Sequence, residues 1–242
     1  MEYRDYSKMI DHALLTPNMG VHDLEKGIDL ALAYDVASVC VMPYYVRQLS
    51  DRLRGSGVKS STTIGFPHGA NHTSVKIFEA KTAIDEGCQE IDAVVNISKV
   101  ISGNWDDVQD EIEQLVETVH AERQKIKIIF ENVYLTDEQK IKLCRICTDA
   151  KADWVKTSTG FATGGATLED LRLMVKHSGS GTEVKAAGGV RDLSTLREVK
   201  KIGVTRCGAS GTAAILDPLR EELGLAKIVL KDSSSIPENP NY

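Results

Sequence analysis

Short β-branched runs alternate along the chain with longer stretches whose apolar residues recur every three to four positions. The runs are MIDHALL (9–15), VASVCVM (36–42), SSTTIGF (60–66), EIDAVVNI (90–97), IKIIF (126–130), ADWVKT (152–157), TEVKAA (182–187) and VTRCGA (204–209). Between them, 22–34 sets Leu24, Ile28 and Leu32 on one helical face, and 106–123 does the same with Val108, Ile112, Leu115 and Val119. Similar periodicity predicts helices near 73–86, 136–149, 167–177 and 192–200. Three have recognisable starts: Thr136 with Gln139 three residues on reads as a capping box, and Thr167 and Asp192 stand where N-caps belong. Eight apolar runs separated by helices imply a parallel sheet covered on both faces, with about 30 residues per βα unit. The expected fold is α/β: a single (β/α)8 TIM barrel with a short N-terminal helix, and a doubly wound open sheet as the second choice. The barrel is expected over 1–232. The polar, proline-bearing segment 233–242 reads as a mobile tail, whose terminal Tyr242 carries the weaker expectation that its phenol reaches the barrel mouth.

Composition narrows the function. The 242 residues are 42% hydrophobic and 26% charged, and 29 Lys+Arg against 35 Asp+Glu leave a net charge of −6. That balance excludes a nucleic-acid partner, which needs excess cations for phosphates. No run approaches the ~20 apolar residues of a membrane span. The N-terminus MEYRDYSKMIDH lacks the apolar stretch of a signal peptide, so a cytoplasmic protein is expected. Five scattered cysteines fit reduced thiols; Cys144 and Cys147, three apart in a helical pattern, read as core packing rather than a redox pair. His68 and His72 flank Gly69 in a loop and read as solvated, so no metal is expected.

A few charged residues sit where strand alternation points them into a barrel: Asp92 in EIDAVVN, Lys156 in DWVKTSTG and Lys185 in TEVKAAGG. A barrel has no edge where a strand lysine reaches water, and two lysines on consecutive strands are neighbours. A free lysine, with pKa about 10.4, is almost wholly protonated at neutral pH. A second ammonium about 4 Å away costs about 4 kcal/mol at an effective dielectric near 20, which lowers one pKa by roughly three units. The expected product is a coupled pair holding one neutral amine able to attack a carbonyl, with Asp92 across the lumen as proton shuttle.

Glycine-rich turns follow three strands: the loop from Thr157 to Thr167, which includes Thr159 and Gly160; Gly188-Gly189-Val190; and Gly208-Ala209-Ser210-Gly211. Each alone reads equally as a tight turn. Together, after strands six to eight of a barrel, they make a phosphate site of backbone N–H groups that needs no net positive surface.

These stretches are where the chain resembles a known family, the deoxyribose-phosphate aldolases, which are class I Schiff-base aldolases of TIM-barrel fold. DHALL (11–15), VASVCV (36–41), IGFPHG (64–69), EIDAVVNIS (90–98), WVKTSTGFATGGAT (154–167), EVKAAGGVR (183–191) and RCGASG (206–211) carry the resemblance over nearly the whole chain. It implies that Lys156 forms the Schiff base, that Lys185 perturbs its pKa and that Asp92 donates and accepts protons. It further implies reversible cleavage of 2-deoxy-D-ribose 5-phosphate to acetaldehyde and D-glyceraldehyde 3-phosphate, with no cofactor. Asp11 either anchors this network or is a structural N-terminal aspartate. The chain departs from the family pattern at Ala13 and Met42, where D-H-T-L-L and V-C-V-N-P are common, and at Phe130–Tyr134, where E-T-G or E-T-C is usual. Ala13 and Met42 leave open an aldolase of the same family with another aldehyde acceptor, and a non-catalytic phospho-sugar binding protein that kept the barrel is a further alternative of a different class. The partners expected are a small phosphorylated sugar and acetaldehyde; a homodimer is compatible with the sequence, which does not set the oligomeric state.

Overall fold

A computed structural model of the chain describes residues 2–230. The segment 233–242 and Tyr242 lie outside the described residues. The eight apolar runs form β1 (Ile10–Leu14), β2 (Ser38–Val41), β3 (Lys59–Ile64), β4 (Glu90–Val94), β5 (Lys125–Ile129), β6 (Trp154–Lys156), β7 (Glu183–Ala187) and β8 (Arg206–Ala209). Each pairs in parallel with the next, and β8 returns to β1 in the register Asp11↔Gly208 and His12↔Ala209. That last pairing closes the barrel and excludes the open doubly wound sheet.

Helices separate the strands: α1 (Arg4–Ser7), α2 (Val21–Ala33), α3 (Val46–Leu53), α4 (Thr73–Asp85), α5 (Ile97–Ile101), α6 (Trp105–Ala121), α7 (Asp137–Asp149), α8 (Leu168–His177), α9 (Leu193–Ile202) and α10 (Thr212–Glu222). α7 opens on the expected capping box, with Thr136 Oγ1 accepting from Gln139 N and Gln139 Oε1 accepting from Thr136 N. Thr167 and Asp192 accept from Asp170 N and Thr195 N, as N-caps do. His72 caps α4 by accepting from Ser74 N. All five cysteines are buried and free, and Cys144 and Cys147 lie on the inner face of α7.

The apolar core lies between strands and helices, not inside the barrel. Outward residues such as Ile91, Ile126, Val155 and Ala186 pack with Leu24, Ile112, Leu143, Met174 and Ile215. The intervening residues point into the lumen, and many are charged. One buried ion pair sits outside the lumen: Lys76 of α4 donates to Glu111 of α6 at 2.9 Å and to the Val94 carbonyl at 2.8 Å. Glu111 also accepts the Asn96 N–H. The pair therefore ties two helices to the end of β4, two residues beyond Asp92.

His12, on the outward face of β1, is buried against α10, with Nδ1 2.8 Å from Thr212 Oγ1. Burial pushes its pKa down to about 4. The unfolded chain, with a histidine pKa near 6.5, then binds a proton that the folded chain refuses. Stability is expected to decline as pH falls from about 6.5 to about 4, by up to about 3 kcal/mol. Urea titrations across that window check it: His12→Gln should flatten the decline, and an unchanged slope would remove His12 as its cause.

Candidate active site

Inside the barrel, Asp92 is the meeting point of three lysines. Its Oδ2 accepts from Lys156 Nζ and from Lys185 Nζ, both at 2.8 Å, and its Oδ1 accepts from Lys127 Nζ at 3.0 Å. Asp11 accepts from Lys185 at 2.5 Å and from Arg206 at 2.6 Å. Glu90 accepts from Lys127 at 2.7 Å and takes both terminal nitrogens of Arg206, each at 2.9 Å. Asp11, Asp92, Lys127, Lys156 and Lys185 are fully buried. Strand geometry explains the convergence. Period-two alternation sends Glu90 and Asp92 inward from β4, and the register Asp92↔Lys127 and Lys156↔Lys185 puts lysines from β5, β6 and β7 beside them.

Burial by itself would drive the Asp92 carboxyl up. The ammonium groups of Lys127, Lys156 and Lys185 outweigh it and hold Asp92 far below the usual carboxylate range. Asp11 follows the same pattern: burial raises it, while Lys185, Arg206 and Lys127 lower it further. Lys127 is desolvated too, but Asp92, Glu90 and Asp11 push it above the ordinary lysine value, so it is a fixed ammonium. This revises the expectation of a bare lysine pair. Lys156 and Lys185 do not simply repel; they share one carboxylate oxygen, so a proton leaving either amine has an acceptor already in hydrogen-bond contact.

Lys156 ends the short strand β6 and pairs in register with Lys185, the middle residue of β7, so the two amines stand level below the C-terminal end that carries barrel active sites. Glycine-rich turns surround that end. Gly160, Gly188 and Gly189 all have positive φ, at 81°, 73° and 95°. The β6 loop is clamped to the β7 turn, because Ala166 N donates to the Ala187 and Gly188 carbonyls. A Cβ on Gly165 would stand 2.8 Å from the Gly188 carbonyl carbon. The register Ala187↔Gly208 brings the Gly188–Val190 and Gly208–Gly211 turns side by side. Thr159 is placed differently from the glycines: its N–H and hydroxyl both donate to Glu131. Thr159 therefore fixes the loop, and Glu131, itself left-handed at φ 58°, is its buried anchor.

Ala13 and Met42 lie where the altered family pattern places them, against the lumen. With Leu15, Cys40 and Phe66 they form a small apolar cluster separate from the main core, and Phe66 meets Phe161 of the β6 loop edge-on at 5.2 Å. The Cys40 thiol is pushed up to about 11 by burial, with Asp92 adding to the shift. Of the 130–134 segment, Phe130 packs in the main core and Glu131 holds Thr159, so neither adds to that wall.

Lys127, Glu90 and Arg206 join the site without having stood out in the sequence, and Glu131 stands out there only as part of the departure at 130–134. Glu90 and Lys127 were within reach of the same alternation rule, since each lies two residues or one register step from Asp92. Arg206 bonds Asp11 across the β8–β1 seam, a contact that no local pattern reveals.

A family model described as DeoC/LacD family aldolase matches residues 7–219. A deoxyribose-phosphate aldolase of Rhodopirellula baltica is 59% identical over 97% of this chain and 97% of its own length. Among solved structures, the aldolase QR15 superposes with a TM-score of 0.85 at 37% identity, covering 92% of this chain and 99% of that one. The tetrameric deoxyribose phosphate aldolase of Aeropyrum pernix gives 0.84 at 27% identity, with 91% and 93% covered. No helix among the described residues is long and apolar enough to cross a membrane.

Proposed function

The chain belongs to the DeoC/LacD aldolase family, and we propose that it cleaves 2-deoxy-D-ribose 5-phosphate reversibly to acetaldehyde and D-glyceraldehyde 3-phosphate through a Schiff base on Lys156. The observation that carries this reading is the single Asp92 oxygen bonded by both Lys156 and Lys185 beneath the barrel mouth. Lys156 attacks the sugar aldehyde as the free amine. Loss of water from the carbinolamine gives an iminium, which draws in the electrons of the breaking C2–C3 bond. The C3 hydroxyl loses its proton, glyceraldehyde 3-phosphate departs, and an enamine remains. Protonation of the enamine carbon and hydrolysis release acetaldehyde and restore Lys156. Asp92 and Lys185 move the protons in these steps as one unit: a carboxylate held so strongly ionised is a poor acid alone, but it relays the proton of the ammonium it contacts. No metal or organic cofactor enters this scheme, because the iminium is the electron sink.

The 5-phosphate is assigned to Gly160, Gly188, Gly189, Val190, Gly208, Ala209, Ser210 and Gly211, with Thr159 fixing the loop and the start of α10 adding its positive end. Asp11 holds Lys185 in place. The test is acetaldehyde release from 2-deoxyribose 5-phosphate and from 2-deoxyribose. The phosphorylated sugar is expected to have kcat/KM at least about 100-fold higher, as two or more charge-assisted bonds imply. Equal values would remove the phosphate assignment. They would favour instead an acceptor recognised by the apolar wall of Ala13, Met42, Phe66 and Phe161.

A further inference from the structure

The lumen contains hydroxyls that the charged network does not use. Thr63 is fully buried, and its Oγ1 has no hydrogen-bond partner among the described residues. Its direction follows from register. Thr63 pairs with Asp92, and residues paired across parallel strands share a face, so Thr63 points into the lumen beside the carboxylate that binds Lys156. Its neighbour Thr62 points the other way and donates to the Val41 carbonyl. Ser61, two residues earlier, is likewise lumen-facing and unpartnered, but pairs with Glu90, deeper among Lys127 and Arg206.

A buried hydroxyl without a partner is costly, and a valine would fill the same space at no such cost. The one feature of Thr63 that valine lacks is a donor and acceptor next to Asp92. On the flank of Thr63 away from Asp92, the neighbouring β2 and β1 side offers only the apolar atoms of Ala13 and Met42 and the Cys40 thiol, held protonated. We propose that Thr63 is a further catalytic residue: its hydroxyl binds the oxygen that is the C3 hydroxyl of the sugar and the carbonyl oxygen of the released aldehyde. The proposal rests on the Schiff-base reading above. In cleavage, the C3 hydroxyl yields its proton to the Asp92–Lys185 unit while the Thr63 hydroxyl donates a hydrogen bond to the same oxygen. The C2–C3 electron pair moves to the iminium nitrogen, and the oxygen becomes an aldehyde carbonyl still accepting from Thr63. In the condensation direction the proton returns to the new alkoxide, which Thr63 holds by the same bond.

Two half-reactions separate this role from a structural one. Exchange of acetaldehyde methyl protons with deuterated water needs Lys156, Asp92 and Lys185 but no second aldehyde. Cleavage of 2-deoxyribose 5-phosphate needs the C3 oxygen. Thr63→Val should exchange acetaldehyde protons at the wild-type rate and trap acetaldehyde on Lys156 with borohydride as wild type does. Its kcat for cleavage should fall about 10- to 100-fold. Thr63→Ser should recover most of that loss. Unchanged cleavage in Thr63→Val overturns the proposal. So does a parallel loss of exchange and cleavage, which would mark a packing role. A wild-type enzyme that traps nothing on Lys156 overturns the Schiff-base reading itself, whatever Thr63 does.

Discussion

Lys156→Ala is expected to abolish aldol cleavage, with kcat down by about 10⁴-fold or more, and to remove the borohydride-trapped acetaldehyde adduct. Three lysines converge on Asp92, so the choice among them needs a physical reason. Lys127 bonds Glu90 and Asp92, stands 3.6 Å from Asp11, and is held above the ordinary lysine value by those acids. An ammonium so stabilised has no lone pair to offer. Lys185 bonds two acids, Asp11 and Asp92, from the middle of its strand. Lys156 bonds Asp92, and its strand runs directly into the glycine-rich loop that follows β6, so a substrate anchored by that loop and its neighbouring turns lies beside an amine less committed to acids than Lys185.

The fold is expected to survive this substitution, because Asp92 keeps Lys127 and Lys185 as partners. Intact-protein mass after reduction reads the adduct, and a thermal melt reads the fold. An adduct that persists in Lys156→Ala would move the nucleophile to Lys185. A variant that loses both adduct and fold would be uninformative alone, so Lys156→Arg is the companion: it keeps a cation for Asp92 but cannot form the imine.

The barrel was legible because its signal is local and repeated. Eight β-branched runs, each about one βα unit apart, imply parallel strands whatever else the chain contains. What escaped was short or nonlocal. α3 buries Val46, Leu49 and Leu53 in eight residues between Pro43 and Gly55, little more than two turns and too short a run to stand out from its surroundings. α5 has five residues and no period to detect. At the site, Asp92, Lys156 and Lys185 stood out as charges in apolar runs, but the bare-pair picture of the lysines was incomplete. It treated two cations as isolated, whereas the register brings a carboxylate between them. Glu131 was noticed only as a departure from a family pattern. Its bond to Thr159 joins the β5 and β6 loops, and contacts across neighbouring loops leave no periodic trace in a sequence.

Asp92→Asn is expected to be the single change to this network that costs most stability, and to slow its chemistry as well. The side chain keeps its shape but loses the charge on which Lys127, Lys156 and Lys185 converge. Among the described residues of the bonded network, Asp11 and Glu90 would then face Lys127, Lys156, Lys185 and Arg206. Removing one member of a buried ion pair costs about 3–5 kcal/mol, because its partner's charge stays buried. Release of a proton from one lysine would relieve part of that cost, so the measured loss should shrink as pH rises toward the lysine range. The acid side has the opposite origin. Asp11, Glu90 and Asp92 all have folded pKa values below their unfolded ones. Their contribution is fully present above about pH 4–5 and is lost as pH falls through the depressed folded values. Urea unfolding from pH 3 to 9 should therefore show a steep acid limb in the wild type and a shallower one in Asp92→Asn. Turnover should fall at least about 100-fold, since the amide cannot accept the proton that Lys185 relays. A variant with wild-type stability and a superimposable acid limb would show that the carboxylate is not what holds the lysines together.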